Sequence, residues 1–62
     1  MKLIASFDTE GSAINYLEGT GHIKSCEQHD FSFWKNRKDY SFLKLIYEEP
    51  FYHVYQPENL NR

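Results

Sequence analysis

The sequence predicts an α+β domain: a single antiparallel sheet of four to five strands with one short helix packed on one face, in the order β-α-β-β-β. Three observations predict it. The 62 residues leave room for one core and no second unit. Lys2 to Phe7 alternates in side-chain character and runs directly into helix-start chemistry. Nine of the aromatic residues (Phe31, Phe33, Trp34, Tyr40, Phe42, Tyr47, Phe51, Tyr52 and Tyr55) fall in strand-like runs separated by turn signals.

The elements follow in order. In Lys2 to Phe7, Leu3, Ala5 and Phe7 alternate with Lys2, Ile4 and Ser6, the period of a strand. Asp8 or Thr9 can then cap a helix, and Glu10 suits the positive end of its dipole. Ala13, Ile14 and Leu17 form one apolar stripe, and Gly19 and Gly21 stop the helix. About ten residues make a helix that is marginal alone, and Gly11 in its first turn weakens it by up to ~1 kcal/mol. Packing on a sheet must hold it.

His22 to Gln28 alternates weakly and reads as a short edge strand. Phe31 to Lys35 and Tyr40 to Glu48 read as a strong strand pair, with Asn36, Arg37, Lys38 and Asp39 as the hairpin turn. Glu49 and Pro50 break the chain, and Phe51 to Gln56 is a last strand closed by Pro57. The domain therefore spans residues 1–57, with a polar tail over 58–62. Short turns imply an antiparallel meander, and any parallel pairing through the helix should cross over right-handed.

The central strand carries a conflict with a simple two-layer reading. Tyr40, Phe42 and Ile46 lie on one of its faces and Leu43, Leu45 and Tyr47 on the other, so both faces are apolar. A ten-residue helix, about 15 Å long, covers one side only. The other side should carry an exposed aromatic patch, which marks an interface. A homodimer through that face is expected, two-fold symmetry being the commonest closed arrangement.

Several function classes are disfavoured. One cysteine, Cys26, permits no internal disulfide, whereas secreted chains of this length usually carry several. Met1 to Phe7 lacks the pattern of a signal peptide, and no stretch approaches the ~20 apolar residues of a membrane span. The chain reads as complete and cytoplasmic, with no membrane partner. His22, Cys26 and His29 are the one cluster of candidate metal ligands, but strict strand alternation puts 22 and 26 on one face and 29 on the other. No fourth ligand has the paired spacing of structural zinc sites. The bland reading is polar residues on a weak strand beside a small buried thiol. Cys26 has no helix-start or oxyanion context for a nucleophile, the carboxylates are scattered among turns, and Gly11, Gly19 and Gly21 match no phosphate loop. No cofactor, metal or catalytic residue is expected, and the chain is read as not an enzyme.

Charge is organised more clearly than chemistry. Residues 1 to 30 set Lys2 and Lys24 against Asp8, Glu10, Glu18, Glu27 and Asp30, a balance of -3. Residues 31 to 47 set Lys35, Arg37, Lys38 and Lys44 against Asp39, a balance of +3, within a net charge of -2. The basic residues thus gather at the hairpin, flanked by Trp34 and Tyr40. The expected partner-binding residues are Trp34, Lys35, Arg37, Lys38 and Tyr40, because tryptophan, tyrosine and arginine anchor interfaces and lysines steer association. Two placements stay open for Trp34: it points opposite to Phe31 and Phe33, so either it or they face away from the helix.

The function expected from these features is that of a small non-enzymatic protein-binding module, an inhibitor or modulator of a larger protein. Phage or mobile-element inhibitors of host enzymes or defence systems, anti-CRISPR proteins included, share this economy of size, aromatic content and segregated charge. The alternative is a single-stranded nucleic-acid-binding protein that stacks bases on the hairpin aromatics and holds phosphates with its lysines. Few basic residues and an acidic whole count against that alternative.

Overall fold

The computed structural model describes residues 1–57, and the tail read over 58–62 lies outside them. Strand β1 (Lys2–Phe7) is followed by helix α1 (Glu10–Gly19) and by β2 (His22–Glu27), β3 (Phe31–Asn36), β4 (Phe42–Glu48) and β5 (Phe51–Gln56). The fold is α+β, with one antiparallel sheet of five strands and one helix, one strand more than the shorter order read from the sequence.

The strand order is β1-β5-β4-β3-β2. The chain lays down one edge, crosses through the helix to the opposite edge, and returns by three hairpins until β5 closes against β1. That last pairing is antiparallel, so the sheet contains no parallel crossover. β2 is an edge strand, as its weak alternation predicts.

Thr9 is the helix N-cap, its hydroxyl accepting from the Ser12 backbone N–H, and Glu10 occupies the first turn. Thr20 closes the other end: its N–H and hydroxyl both donate to the carbonyls of Tyr16 and Leu17. Gly21 takes φ +87°, a left-handed turn open to glycine.

The core is small. Ala13 and Leu17 from α1 pack on Trp34, Leu45 and Val54, with Phe7, Ile14, Tyr16, Leu43 and Tyr52 half-buried around them. Register aligns these residues: Ser32, Leu45, Val54 and Ala5 stand side by side across four strands beneath the helix. The next row holds Trp34 beside Leu43, and Phe7 beside Tyr52 and Tyr47 lies on the other side.

The opposite face has no second layer among the described residues. One row crosses all five strands as Cys26, Phe33, Lys44, Tyr55 and Leu3. The adjacent row is Phe31, Ile46, His53 and Ser6, and Phe42 and Phe51 lie beyond on either side. The uncovered aromatic face expected from the two-sided β4 is therefore present, without Tyr40, which lies in the turn rather than in the strand.

Candidate functional site

The β3–β4 hairpin is held by its own side chains. Asn36 Oδ1 accepts from the backbone N–H groups of Lys38 and Asp39, at 2.8 and 3.1 Å. This is a side-chain substitute for a backbone turn. Asp39 Oδ1 then accepts from the N–H and the hydroxyl of Ser41, at 2.9 and 2.7 Å. These bonds hold the Asp39 carboxyl below its ordinary value. The Arg37 N–H donates to the Gly21 carbonyl at 2.9 Å, which ties the hairpin to the α1–β2 turn.

That scaffold presents Tyr40 with φ +63° and 67 % of its surface exposed. A left-handed conformation costs a non-glycine residue roughly 1–2 kcal/mol, so the surrounding turn is over-determining this position. Lys35 Nζ sits 5.2 Å from the Tyr40 ring centre, a cation–π contact that orients the ring. Arg37 and Lys38 are exposed beside it. The structure thus brings Lys35, Arg37, Lys38 and Tyr40 to one end of the sheet.

Trp34 does not join them. It is 3 % exposed, on the helix side, and its indole N–H donates to Ser32 Oγ at 2.9 Å. Register explains this: Trp34 shares the face of Ser32, and the helix covers that face. Trp34 is corrected from partner anchor to core residue, and Phe31 and Phe33 are the side chains that face away from the helix.

Lys44, Glu48 and His53, which sequence reasoning did not single out as site residues, lie on the uncovered face. Lys44 Nζ stands 4.4 Å from the Phe31 ring centre and 5.5 Å from that of Phe33, in the middle of the sheet. Phe33 meets Phe31 and Phe42 edge-on, at 5.7 and 6.4 Å. On the other side of Lys44, His53 lies between Phe51 and Tyr55 at about 6 Å from each ring. Glu48 Oε1 accepts from the Tyr55 hydroxyl at 3.3 Å and lies 3.5 Å from His53 Nε2. The signal that could have found these residues was the simple alternation of Phe31, Phe33, Lys44, Ile46 and Glu48 along paired strands.

Partial desolvation first, and then the neighbouring Glu48 carboxyl, raise the Tyr55 hydroxyl above its ordinary 10.0. Tyr47 is raised likewise by desolvation, and then by Glu49 and Tyr52. A raised folded-state value means that the neutral phenol is favoured by folding. Its contribution is complete below pH 10 and is lost as pH rises through the raised values. Melting temperature is expected to decline above pH 10, and Tyr55→Phe to flatten part of that decline. A wild-type profile flat to pH 12 contradicts it.

The structure does not bring His22, Cys26 and His29 together. His22 is buried on the helix side with Nδ1 3.0 Å from Thr20 Oγ1, and His29 is exposed in the β2–β3 turn. A bulge between Lys24 and Cys26 shifts the register, so Cys26 stands beside Phe33 on the uncovered face. Two expectations are corrected by that bulge: Cys26 does not share a face with His22, and its thiol is exposed rather than buried. No group of three His, Cys, Asp or Glu side chains placed to hold a metal ion occurs among the described residues. A groove of about 280 Å³ at the end of the sheet away from the hairpin is lined by Glu10, Glu27, His29, Asp30, Tyr47 and Tyr52 among others, which makes that end acidic. Comparison with protein-family models, curated proteins and solved structures finds no match.

Proposed function

We propose that this chain is a non-enzymatic protein-binding module that docks through its basic hairpin on an acidic surface of a larger protein. The observation that carries the reading is Tyr40, held exposed in a costly conformation by a hydrogen-bonded turn and flanked by Lys35, Arg37 and Lys38. Tyrosine and arginine are the residue types that dominate interface energetics, and a turn already fixed in shape loses little entropy on docking. The lysines add long-range attraction, which raises association rate more than final affinity. Action by occlusion follows from size: a module of 7.5 kDa covers an active or assembly surface without chemistry of its own. Inhibition of a host enzyme or host-defence complex by a phage-encoded protein, anti-CRISPR activity included, is the setting we propose for it.

Arg37→Glu with Lys38→Glu tests this directly. The double reversal is expected to leave the circular dichroism spectrum unchanged and to abolish capture of the partner from source or host cells. Tyr40→Gly should weaken the same complex by ~2 kcal/mol or more while shifting the melting temperature only slightly. Relief of the positive φ offsets the lost cation–π contact and the added freedom of glycine. Retention of partner affinity in both variants removes the hairpin from the proposal.

A second reading has its own observation, the run of Phe31, Phe33 and Phe42 beside Lys35 and Lys44 on an open sheet, which suits base stacking and phosphate contact. The net charge of -2 opposes it. Binding of single-stranded DNA or RNA with a steep salt dependence, lost in Lys44→Glu, would favour this reading over the first.

A further inference from the structure

The uncovered sheet face is a surface separate from the hairpin tip, and we infer that its occupant is a second copy of this chain, stacked face to face with antiparallel strands. Strand β4 is the middle strand of five, and Ile46 is near the middle of its outward row. Lys44 lies two residues to one side of Ile46 and Glu48 two residues to the other, all three on the same face. A two-fold axis in the interface, perpendicular to the strands and passing over Ile46, therefore sets Lys44 of each copy against Glu48 of the other. The same operation carries Lys35, at the hairpin end of β3, toward the β2–β3 turn of the second copy, which holds Asp30. Stacking with parallel strands would instead bring Lys44 onto Lys44, a juxtaposition of like charges.

Desolvation explains why the occupant must offer this pattern. A lysine covered by an apolar partner is an unpaired buried cation, which is costly, so any close-fitting partner must place an anion opposite Lys44. Glu48 is the one carboxylate that the register places on this face among the described residues, and in the antiparallel arrangement it meets that need twice. Both charges are already positioned, Lys44 by the Phe31 and Phe33 rings and Glu48 by Tyr55 and His53. Around them lie Leu3, Phe42 and Phe51, exposed, with Phe31, Phe33 and Ile46 half-buried, which is apolar surface of the kind that homodimer interfaces bury.

Size agrees. Five strands of about six residues measure roughly 24 by 20 Å, and side-chain relief brings that footprint toward the roughly 800 Å² per partner of a standard interface. The two hairpins would then project from opposite ends of the dimer, giving a bivalent particle.

Light scattering at about 100 µM is expected to give a mass twice 7.5 kDa. Lys44→Glu alone and Glu48→Lys alone should each weaken the dimer by about tenfold or more, about 1.4 kcal/mol, with the fold intact by circular dichroism. The exchange Lys44→Glu with Glu48→Lys should recover the dimer. A wild-type mass of 7.5 kDa at that concentration overturns the inference, with or without binding of single-stranded DNA. So does an exchange variant that stays monomeric, or a dimer indifferent to both single reversals. The hairpin variant Arg37→Glu with Lys38→Glu should keep the dimer mass, so failure of the docking proposal and failure of the dimer are read separately.

Discussion

Trp34→Ala is expected to unfold the protein at room temperature or to lower its melting temperature by more than 12 °C. The side chain is 3 % exposed beneath α1, and removing a buried tryptophan costs about 3–5 kcal/mol. A domain of this length holds only about 3–9 kcal/mol in total at the usual 0.05–0.15 kcal/mol per residue. Each kcal/mol corresponds to about 4–8 °C in a domain near this size. Trp34→Phe separates the two parts of the loss, since it keeps much of the apolar volume and removes the indole donor to Ser32 Oγ. It should cost about 1–3 kcal/mol, because Ser32 is itself buried and loses its partner. Adding Ser32→Ala should return part of that cost. Thermal unfolding followed by circular dichroism decides the matter, and a Trp34→Ala protein that melts within a few degrees of wild type would return Trp34 to the surface.

Leu17→Ala should be nearly as damaging, at about 2–5 kcal/mol. Leu17 is the largest fully buried side chain that the helix places against the sheet. A ten-residue helix has little stability of its own, so loss of this anchor frees α1 and exposes Trp34, Leu45 and Val54 together. The fluorescence of the one tryptophan then shifts to the red as the indole meets water. Gly11→Ala in the same helix should have the opposite sign. Nothing lies within 4 Å of the position its Cβ would take, and alanine is better than glycine in a helix by up to about 1 kcal/mol. In the double variant, Gly11→Ala should recover a minor part of the Leu17→Ala loss. Full recovery would mean that helix propensity rather than packing holds α1 in place.

Much of this architecture was legible in the residue order. The alternation of Lys2 to Phe7, the Thr9 cap with Glu10, and the stripe of Ala13, Ile14 and Leu17 define the first two elements by local chemistry alone. The two apolar faces of β4, set against a helix too short to cover both, required an uncovered aromatic face, and one is present. The clustering of Lys35, Arg37 and Lys38 at a turn was equally local, since Asn36 and Asp39 build that turn with their own side chains.

Other features were settled only when distant segments met. Periodicity groups residues by face, but it does not say which face the helix covers, and so Trp34 could be assigned to core or surface only by the packing of α1. The bulges between Leu3 and Ala5 and between Lys24 and Cys26 shift the alternation by one residue, and no glycine or proline announces them. Cys26 changed sides for that reason. Tyr40 reads as a strand residue by composition, yet the hydrogen bonds of Asn36 and Asp39 hold it in the turn with a positive φ. The sequence by itself determined the elements, the short helix and the existence of an unpartnered apolar face, because these depend on neighbours a few residues apart. Tertiary structure alone decided that β1 closes against β5, that Trp34 is covered, and that Lys44 and Glu48 flank Ile46 at the centre of the open sheet, because cross-strand register joins residues that the chain separates by tens of positions.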